Sequence, residues 1–289
     1  MRVLLTGAQG MLGTDMHGKL RSDGIDTVAV GREELDITRE PDVGYLMQHV
    51  RPDVLINCAA FTAVDACETE RDQAHLVNAE GVRHLAEHAN RWDALLVHFS
   101  TDFVFDGTKR SPYEVDDEVD PVSAYGESKL AGEAAASTAS KHLIIRTSWV
   151  FGPNGNNFVE AITRQGEKGN QHLRVVDDQC GRPTYVPHLV DATMRLIDVA
   201  RERSDVRGVV HYADAPVCTW YEFSLEILNE LQSRGVGGEV EVEPITTEEM
   251  PRPARRPAYS VLSPTRYEEL TGAEPALWQM GLIDYFTRR

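Results

Sequence analysis

A tyrosine and a lysine four positions apart are the residues of this chain best suited to chemistry. Tyr125 and Lys129 lie in the run Ser123–Lys129, and on a helix they share one face, about one turn apart. A phenol has an ordinary pKa of about 10, and a neighbouring ammonium favours the phenolate, so a proton is given and taken more easily. The same spacing is common on solvated helix faces. The pair therefore predicts an acid–base site only in combination with other stretches.

A second group of candidates precedes this pair in the chain. Ser100-Thr101-Asp102 follows an apolar run, 94–99, of the kind found in strands buried on both faces. Open α/β folds bind ligands at the carboxyl ends of such strands. A Thr101 hydroxyl at that edge is placed to hydrogen-bond a reacting carbonyl oxygen, with Tyr125 as the proton donor. Each residue also has a structural explanation, Thr101 as a helix cap and Tyr125 as a surface aromatic.

A glycine-rich turn near the N-terminus gives these candidates a cofactor. Residues 7–13 spell GxxGxxG between a predicted strand, 2–6, and a predicted helix, 11–20. Without side chains the backbone can approach a pyrophosphate, whose charge then meets the helix N-terminus. The alternative is a glycine-rich turn without a ligand. Together with the catalytic candidates the turn predicts a nicotinamide-dependent oxidoreductase, with cofactor contacts from Gly7, Gln9, Gly10, Met11 and Leu12.

The end of the second predicted strand indicates which nicotinamide cofactor is used. An NAD-selective site places an acidic residue there to hold the ribose 2′-hydroxyl. This chain has Gly31-Arg32 instead, which suits a 2′-phosphate. We therefore expect NADPH, with NADH as the alternative because Glu33 and Glu34 follow directly. The remaining predicted cofactor contacts are Asp36, Ile37, Ala59, Ala60, Thr62, Ser100, Tyr125 and Lys129, and for the two alanines the alternative is packing at a strand end.

The pattern of strands and helices predicts the fold that positions these residues. Apolar strand-like runs and helical patterns alternate about every 25 residues over the first half of the chain, which is typical of right-handed βαβ units. We expect an α/β fold, a Rossmann-like doubly wound parallel sheet with a smaller C-terminal substrate-binding lobe. The predicted dinucleotide-binding domain is 1–150 plus about 186–215. The predicted lobe is 151–185 plus 216–289.

Composition excludes several classes of protein. A hydrophobic content of 42% over 289 residues suits a full globular core, and a net charge of −17 argues against a nucleic-acid partner. No apolar run reaches the roughly 18 residues of a membrane span, and Met1 leads directly into a strand, so we expect no membrane partner and a cytoplasmic location. Four scattered cysteines without a CxxC pair predict reduced thiols and no metal site.

On its motifs the chain resembles the extended short-chain dehydrogenase/reductase family, and within it the branch that reduces dTDP-linked 4-keto-6-deoxy sugars. The glycine turn and the Tyr125–Lys129 stretch are shared by the whole family. The segments around Trp149 and 253–257 are more specific to the branch. The matching stretches are residues 7–13, 57–65, 100–105, 125–133, 146–151, 178–179, 183–184 and 253–257.

The resemblance implies hydride delivery from NADPH or NADH to C4 of dTDP-4-dehydro-L-rhamnose, giving dTDP-L-rhamnose for deoxysugar synthesis. Thr101, Tyr125 and Lys129 match the catalytic triad of the family. Many relatives carry tyrosine where Phe103 stands. The expected partners are the dTDP-linked keto-deoxysugar and a second copy in a homodimer, and Mg²⁺ is a candidate cofactor without assigned ligands. The positions expected at the substrate are Val64, Asp102, Phe103, Trp149 and Arg255.

Other functions within the same family remain open. The chain is alternatively a reductase or epimerase of another nucleotide-linked 4-keto-6-deoxy sugar. Dehydratases of the family carry a glutamate at the position of Phe103, and water elimination needs that acid–base pair, so a dehydratase is disfavoured. A regulatory subunit that binds NADP without turnover is the remaining alternative. The intact set of Thr101, Tyr125 and Lys129 argues against it.

Overall fold

The computed structural model describes residues 1–169, 172–203 and 205–289 of the chain. Within these ranges the strands, numbered in chain order, are β1 (Arg2–Thr6), β2 (Asp26–Val30), β3 (Val54–Asn57), β4 (Leu95–Thr101), β5 (His142–Thr147), β6 (Val150–Phe151), β7 (His172–Val176), β8 (Cys180–Gly181), β9 (Thr184–Tyr185), β10 (Gly208–His211), β11 (Cys218–Thr219) and β12 (Glu241–Ile245). The α-helices are α1 (Met11–Ser22), α2 (Glu40–Val50), α3 (Arg71–His75), α4 (Gly81–Arg91), α5 (Ala124–Ala136), α6 (Phe158–Glu167), α7 (Val186–Glu202), α8 (Trp220–Ser233), α9 (Thr265–Thr271) and α10 (Trp278–Arg288).

Six of the strands form one parallel sheet in the order β10-β5-β4-β3-β1-β2. Because side chains alternate across a strand, Val3 and Leu5 pack on one face of the sheet and Leu4 packs on the other. Helices α1 and α7 cover the first face, and α2, α4 and α5 cover the second. The predicted doubly wound α/β sheet is thereby confirmed. Successive strands are added on one side of β1 up to β2 and on the other side from β3 onward. Open α/β sheets form a ligand crevice at such a switch point, here between β1 and β3.

The smaller lobe has its own aromatic core. Its strands pair two by two, β6 with β9, β7 with β12 and β8 with β11. Helices α6, α8 and α10 pack around buried side chains that include Phe151, Tyr185, Phe223 and Trp278. Helix α7 then leads the chain back to the large sheet, where β10 pairs with β5. The exact domain limits stay a prediction. No helix in the described ranges is long and apolar enough to cross a membrane.

A π-helical turn separates helices α3 and α4. Helix α3 begins at Arg71, and Leu76–Glu80 forms the π turn. Asn78 in this turn holds the backbone of Phe61, accepting from its N–H at 2.8 Å and donating to its carbonyl at 3.0 Å. Helix α5 comes so close that a Cβ on Gly132 would overlap the Asn78 carbonyl oxygen. The π turn therefore ties the loop after β3 to the helix that carries Tyr125.

This close approach predicts opposite effects of two glycine substitutions. Gly132→Ala should lower the free energy of unfolding by about 1–3 kcal/mol, because the added methyl forces α5 away from Asn78. Gly18→Ala in α1 is the matched control, since a Cβ there meets nothing within 4 Å. It should raise stability by about 0.5–1 kcal/mol through helix propensity. Urea denaturation of both variants measures the effects, and a stable Gly132→Ala protein would contradict the proposed packing.

Candidate active site

A cleft of about 1190 Å³ opens between the carboxyl ends of the large sheet and the lobe. It is lined by most of the residues predicted to bind cofactor or substrate, namely Gly10, Met11, Leu12, Ala59, Ala60, Thr62, Val64, Ser100, Thr101, Asp102, Phe103, Tyr125, Lys129, Trp149 and Arg255. Five predicted residues lie outside its walls, around the ends of β1 and β2: Gly7, Gln9, Arg32, Asp36 and Ile37. The structure thus brings Thr101, Tyr125 and Lys129 together in the cleft and places these five residues outside it, around the ends of β1 and β2.

The glycine turn forms one end of the cleft. Gly7 has a φ of +67°, and a Cβ on it would lie 2.5 Å from the Ala59 nitrogen, so only glycine fits between β1 and β3. At Gly13 a Cβ would overlap the Gly7 carbonyl oxygen, whereas at Gly10 the nearest atom would be 3.4 Å away. Helix α1 begins directly after Gly10 without a side-chain cap. An uncapped helix start beside an open glycine fits a pyrophosphate.

The end of β2 presents a cation beside this turn. Arg32 is exposed, while Glu34 turns back to accept a hydrogen bond from the Gly31 nitrogen at 2.8 Å. Burial acts to raise the pKa of Asp36, but hydrogen bonds from Thr38 and the charge of Arg32 outweigh it and hold that pKa below its usual range. The side chain of Gln9 lies over Gly31, where a Cβ would meet its amide oxygen at 2.5 Å. This arrangement of charges fits a phosphate on the adenosine ribose.

Thr101 performs two tasks at the end of β4. Its Oγ1 accepts a hydrogen bond from the Phe103 nitrogen at 3.2 Å and so caps the short 3₁₀ turn Asp102–Val104. The same hydroxyl donates to Asp102 Oδ1 at 3.0 Å and interacts with the Tyr125 hydroxyl. Thr101 is therefore a helix cap and also lies where a catalytic hydroxyl is expected. Tyr125 stands at the start of α5, which Ser123 caps by accepting from the Gly126 nitrogen at 3.2 Å.

The pKa values of the tyrosine and the lysine move in opposite directions. Burial and then the charge of Asp102 raise the pKa of Tyr125, so that the phenol keeps its proton. This is contrary to the lowering expected from Lys129, whose Nζ donates to the Phe99 carbonyl oxygen at 2.6 Å. Burial lowers the pKa of Lys129 to about 8, although the charge of Glu133 opposes the change. The site thus holds a neutral phenol beside an amine that titrates close to neutrality.

Ser100 is committed to a buried ion pair. Its hydroxyl donates to Glu133 Oε1 at 2.5 Å, and Glu133 in turn binds Arg146 through two hydrogen bonds of 2.8 Å. All three side chains are buried. The hydroxyl hydrogen of Ser100 is therefore already used in this pair and is not available to a cofactor.

Among the residues that the structure describes, Asp102 is a buried carboxyl group without a cationic partner. The residue is 1% exposed, and its Oδ2 atom has no hydrogen bond of good geometry, although the Ser260 hydroxyl lies nearby. Burial raises its pKa to about 6, and the hydroxyls of Ser260 and Thr101 offset part of that rise. Asp102 is among the residues that line the cleft, but its Oδ2 atom is shielded from solvent.

The lobe contributes the predicted residue Trp149 to the cleft, together with several residues that were not predicted from the sequence. Trp149 has a left-handed φ of +46° and stacks on Trp220, with ring centroids 3.6 Å apart. Gly181 makes room for that ring, since any Cβ on it would overlap the indole. Further lining residues from the lobe are Phe158, Arg174, Gln179, Trp220, Thr247, Met250 and Arg252. Apart from Gln179, which lies in a stretch that matches the family, no local motif marks them, because tertiary folding alone brings them to the cleft.

The proline and arginine segment 251–257 forms the rim of the cleft on the lobe side. Arg256 is fixed there, because its Nη1 lies 2.5 Å from Asp65 Oδ1 and the Ala254 nitrogen donates to the same oxygen at 3.2 Å. Arg252 and Arg255 are exposed on the same rim. Within the described ranges no group of three His, Cys, Asp or Glu residues is placed to hold a metal ion, and magnesium ligands stay unassigned.

The fold and the cleft together define a dinucleotide-binding α/β oxidoreductase of the short-chain dehydrogenase/reductase class. All of residues 1–289 match the model of the RmlD substrate binding domain family, and the chain belongs to that family. A dTDP-4-dehydrorhamnose reductase of Aggregatibacter actinomycetemcomitans is 39% identical over 97% of this chain and 97% of its own length. A probable dTDP-4,6-dihydroxy-2-methyloxan-3-one 4-ketoreductase of Streptomyces antibioticus is 40% identical over 99% of this chain and 95% of its own.

A solved structure agrees with the relationship. The dTDP-4-dehydrorhamnose reductase of Bacillus anthracis str. Ames, in complex with NADP, has a TM-score of 0.92 and 36% identity, covering 100% of this chain and 99% of its own. The resemblance to the sugar-reducing branch of the family is thereby confirmed. The predicted roles of individual residues are untested by these similarities.

The environment of Asp102 predicts how stability depends on pH. Since its pKa is higher in the folded chain than its ordinary 3.8, charging Asp102 destabilises the fold as the pH rises from about 4 to above about 6. Asp102→Asn removes this effect and should raise the free energy of unfolding by up to about 3 kcal/mol near pH 8. Below about pH 4 the two proteins should be equally stable. Urea denaturation across this range measures the difference, and a difference independent of pH would contradict it.

Proposed function

We propose that this chain uses NADPH to reduce the C4 keto group of dTDP-4-dehydro-L-rhamnose to the alcohol of dTDP-L-rhamnose. The observation that supports this most directly is the meeting of Thr101, Tyr125 and Lys129 in the same cleft as the uncapped start of α1. Relatives named for this reaction match nearly the whole chain. Bound NADPH would supply the hydride, held by the α1 turn and by Arg32.

The protein's part in the reaction is to place and protonate the keto sugar. Tyr125 gives its proton to the C4 oxygen, and its raised pKa keeps that proton available at neutral pH. The Thr101 hydroxyl, in the same cleft, orients the carbonyl. Phe103 packs edge-on against Tyr125 with ring centroids 5.7 Å apart and supplies an apolar wall. With phenylalanine after Asp102 the site lacks the second acid that a dehydratase requires.

The rim of the cleft fits the nucleotide diphosphate of the substrate. Arg252 and Arg255 are exposed there, in a chain whose net charge is −17. Guanidinium groups attract a diphosphate and can bind it with charge-assisted hydrogen bonds. Arg256 is held by Asp65, so its role in this proposal is to fix the rim in place.

A second candidate is reduction of a different dTDP-linked keto sugar. A relative at 40% identity is named for such a substrate, and Phe103 lacks the hydroxyl that many sugar reductases of the branch present at this position. Comparing kcat/KM for several dTDP-linked 4-keto-6-deoxy sugars separates the two candidates. The cytoplasmic location and the homodimer remain predictions from the sequence.

The acid role of Tyr125 predicts a specific defect. Tyr125→Phe should lower turnover of dTDP-4-dehydro-L-rhamnose by at least about 100-fold, the usual contribution of a general acid, while NADPH binds nearly as before. Oxidation of NADPH measured at 340 nm reports turnover, and quenching of protein fluorescence by NADPH reports binding. Tyr45→Phe is the matched control, since Tyr45 is 67% exposed on α2. Full activity in Tyr125→Phe would refute the acid role.

The position of Arg32 predicts cofactor preference. Arg32→Ala should raise the KM for NADPH by roughly 10- to 100-fold, because a hydrogen bond to a charged group contributes about 1.5–3 kcal/mol. The KM for NADH should stay unchanged. Arg21→Ala, an exposed arginine of α1, should change neither. An equal rise in KM for NADPH and NADH would show that Arg32 does not bind the 2′-phosphate.

A further inference from the structure

A chain of buried polar side chains runs from the interior of the sheet to the amine of Lys129. It joins Thr6 on β1, Asn57 on β3, His98 on β4 and Lys129 on α5, each no more than 3% exposed. Thr6 Oγ1 lies 2.7 Å from Asn57 Oδ1, Asn57 Nδ2 lies 3.1 Å from His98 Nδ1, and His98 Nε2 lies 3.5 Å from Lys129 Nζ. The directions of these hydrogen bonds bear on the charge of the lysine.

The orientation of the Asn57 amide is fixed by its surroundings. The backbone N–H of Ala59 donates to Oδ1 at 3.1 Å, and the Thr6 hydroxyl donates to the same oxygen. If the amide were turned over, its NH₂ group would face the Ala59 N–H, and two donors would oppose each other. Asn57 therefore presents Nδ2 to His98.

This orientation determines which nitrogen of His98 carries the proton. An amide NH₂ group can only donate, so His98 Nδ1 must accept from Asn57. Burial, reinforced by the charge of Lys129, lowers the pKa of His98 well below its usual value, so the ring is neutral. A neutral imidazole with an accepting Nδ1 carries its proton on Nε2. That N–H points toward the amine of Lys129.

The two charge states of Lys129 then fit the chain unequally. An ammonium has only donors, so a charged Lys129 opposes the Nε2–H of His98, whereas a neutral amine accepts from it. If the His98 proton moved to Nδ1, that N–H would face the NH₂ group of Asn57. If the Asn57 amide were then turned over, its NH₂ group would face the N–H of Ala59. The bond from Nζ to the Phe99 carbonyl oxygen is possible in both states. When Lys129 is charged, two hydrogen-bond donors therefore face each other at one of these three contacts.

We propose that His98, oriented by Asn57, is a positioning residue that favours the neutral amine of Lys129 and so eases the loss of its proton. The proposal rests on the proposed reductase function, in which the proton that Tyr125 gives to the substrate oxygen is replaced from Lys129. Each such transfer leaves Lys129 as the neutral amine that His98 Nε2–H binds, and water then returns a proton to it. Protons therefore balance over each turnover.

The other groups around Lys129 act on its charge in different directions. Glu133 on α5 favours the ammonium, but its carboxylate is already bound by Arg146 and Ser100. Cys58 after β3 favours the ammonium only as a thiolate, and burial raises the pKa of that thiol. Tyr125 stays protonated. His98 is therefore the neighbour whose hydrogen bonding distinguishes the two states of the lysine.

Nuclear magnetic resonance can test the chain without any turnover. In ¹⁵N-histidine-labelled protein at about pH 8, His98 should be the Nε2–H tautomer, with its signals assigned by their absence in His98→Gln. In ¹³C-lysine-labelled protein the chain gives only five lysine signals, and Lys129 should titrate at a pH of about 8, below the ordinary lysine value of about 10.4. An Nδ1–H tautomer, or a Lys129 that titrates at the ordinary lysine value, would overturn the proposal.

Two variants separate the effect of His98 from a general disturbance. In His98→Gln the side-chain oxygen can accept from both Asn57 and the ammonium, so the pKa of Lys129 should rise by about one unit or more. Thr6→Val removes the first link but leaves Asn57 oriented by Ala59, so the pKa of Lys129 should stay unchanged. An unchanged Lys129 in a folded His98→Gln protein would contradict the proposal.

These measurements use the protein without substrate, so they stay informative if the reductase assay fails. Where turnover is present, the pH at which kcat falls should move upward in His98→Gln together with the pKa of Lys129. A kcat profile that stays in place while the lysine titration moves would show that Lys129 does not supply the proton.

Discussion

The buried ion pair between Glu133 and Arg146 is the interaction on which the catalytic geometry depends. Glu133 belongs to α5, the helix of Tyr125 and Lys129, and Arg146 lies on β5. The two parallel hydrogen bonds fix both direction and distance, and Ser100 at the end of β4 adds a third bond. Removing one partner of such a pair typically costs about 3–5 kcal/mol, because the other charge is left buried. The pair therefore sets the register between the helix and the sheet edge.

The sequence was sufficient for those features that follow from local spacing. The glycine turn, the apolar strand that leads to Ser100 and Thr101, and the four-residue step from Tyr125 to Lys129 each depend on neighbours in the chain. The electrostatics could not be predicted in the same way. The pKa of Tyr125 rises because folding buries it beside Asp102, and the amine of Lys129 binds the Phe99 carbonyl. Spacing on a helix shows which groups can meet, but burial decides their charge.

The lobe was harder to predict because its contacts join distant parts of the chain. Trp149 and Trp220 stack although 71 positions separate them, and the Asp65–Arg256 pair closes a loop of 191. Gln179 links the stack to the lobe, since its Oε1 accepts from the Trp220 indole at 3.2 Å. Of these residues only Trp220 lies outside the stretches that match the family in sequence. The wall opposite the catalytic residues is thus a product of tertiary structure.

The charges around the cleft favour reduction over the other reactions of the family. Reduction needs one acid that gives up a proton as hydride arrives, whereas elimination needs an acid and a base on neighbouring carbons. Tyr125 is neutral at physiological pH, and the ring of Phe103 occupies the place where a second acid would stand. Asp102 is charged at that pH only against the cost of its burial. Burial thus raises the pKa of both Asp102 and Tyr125, and it keeps the phenol protonated for its role as the single acid.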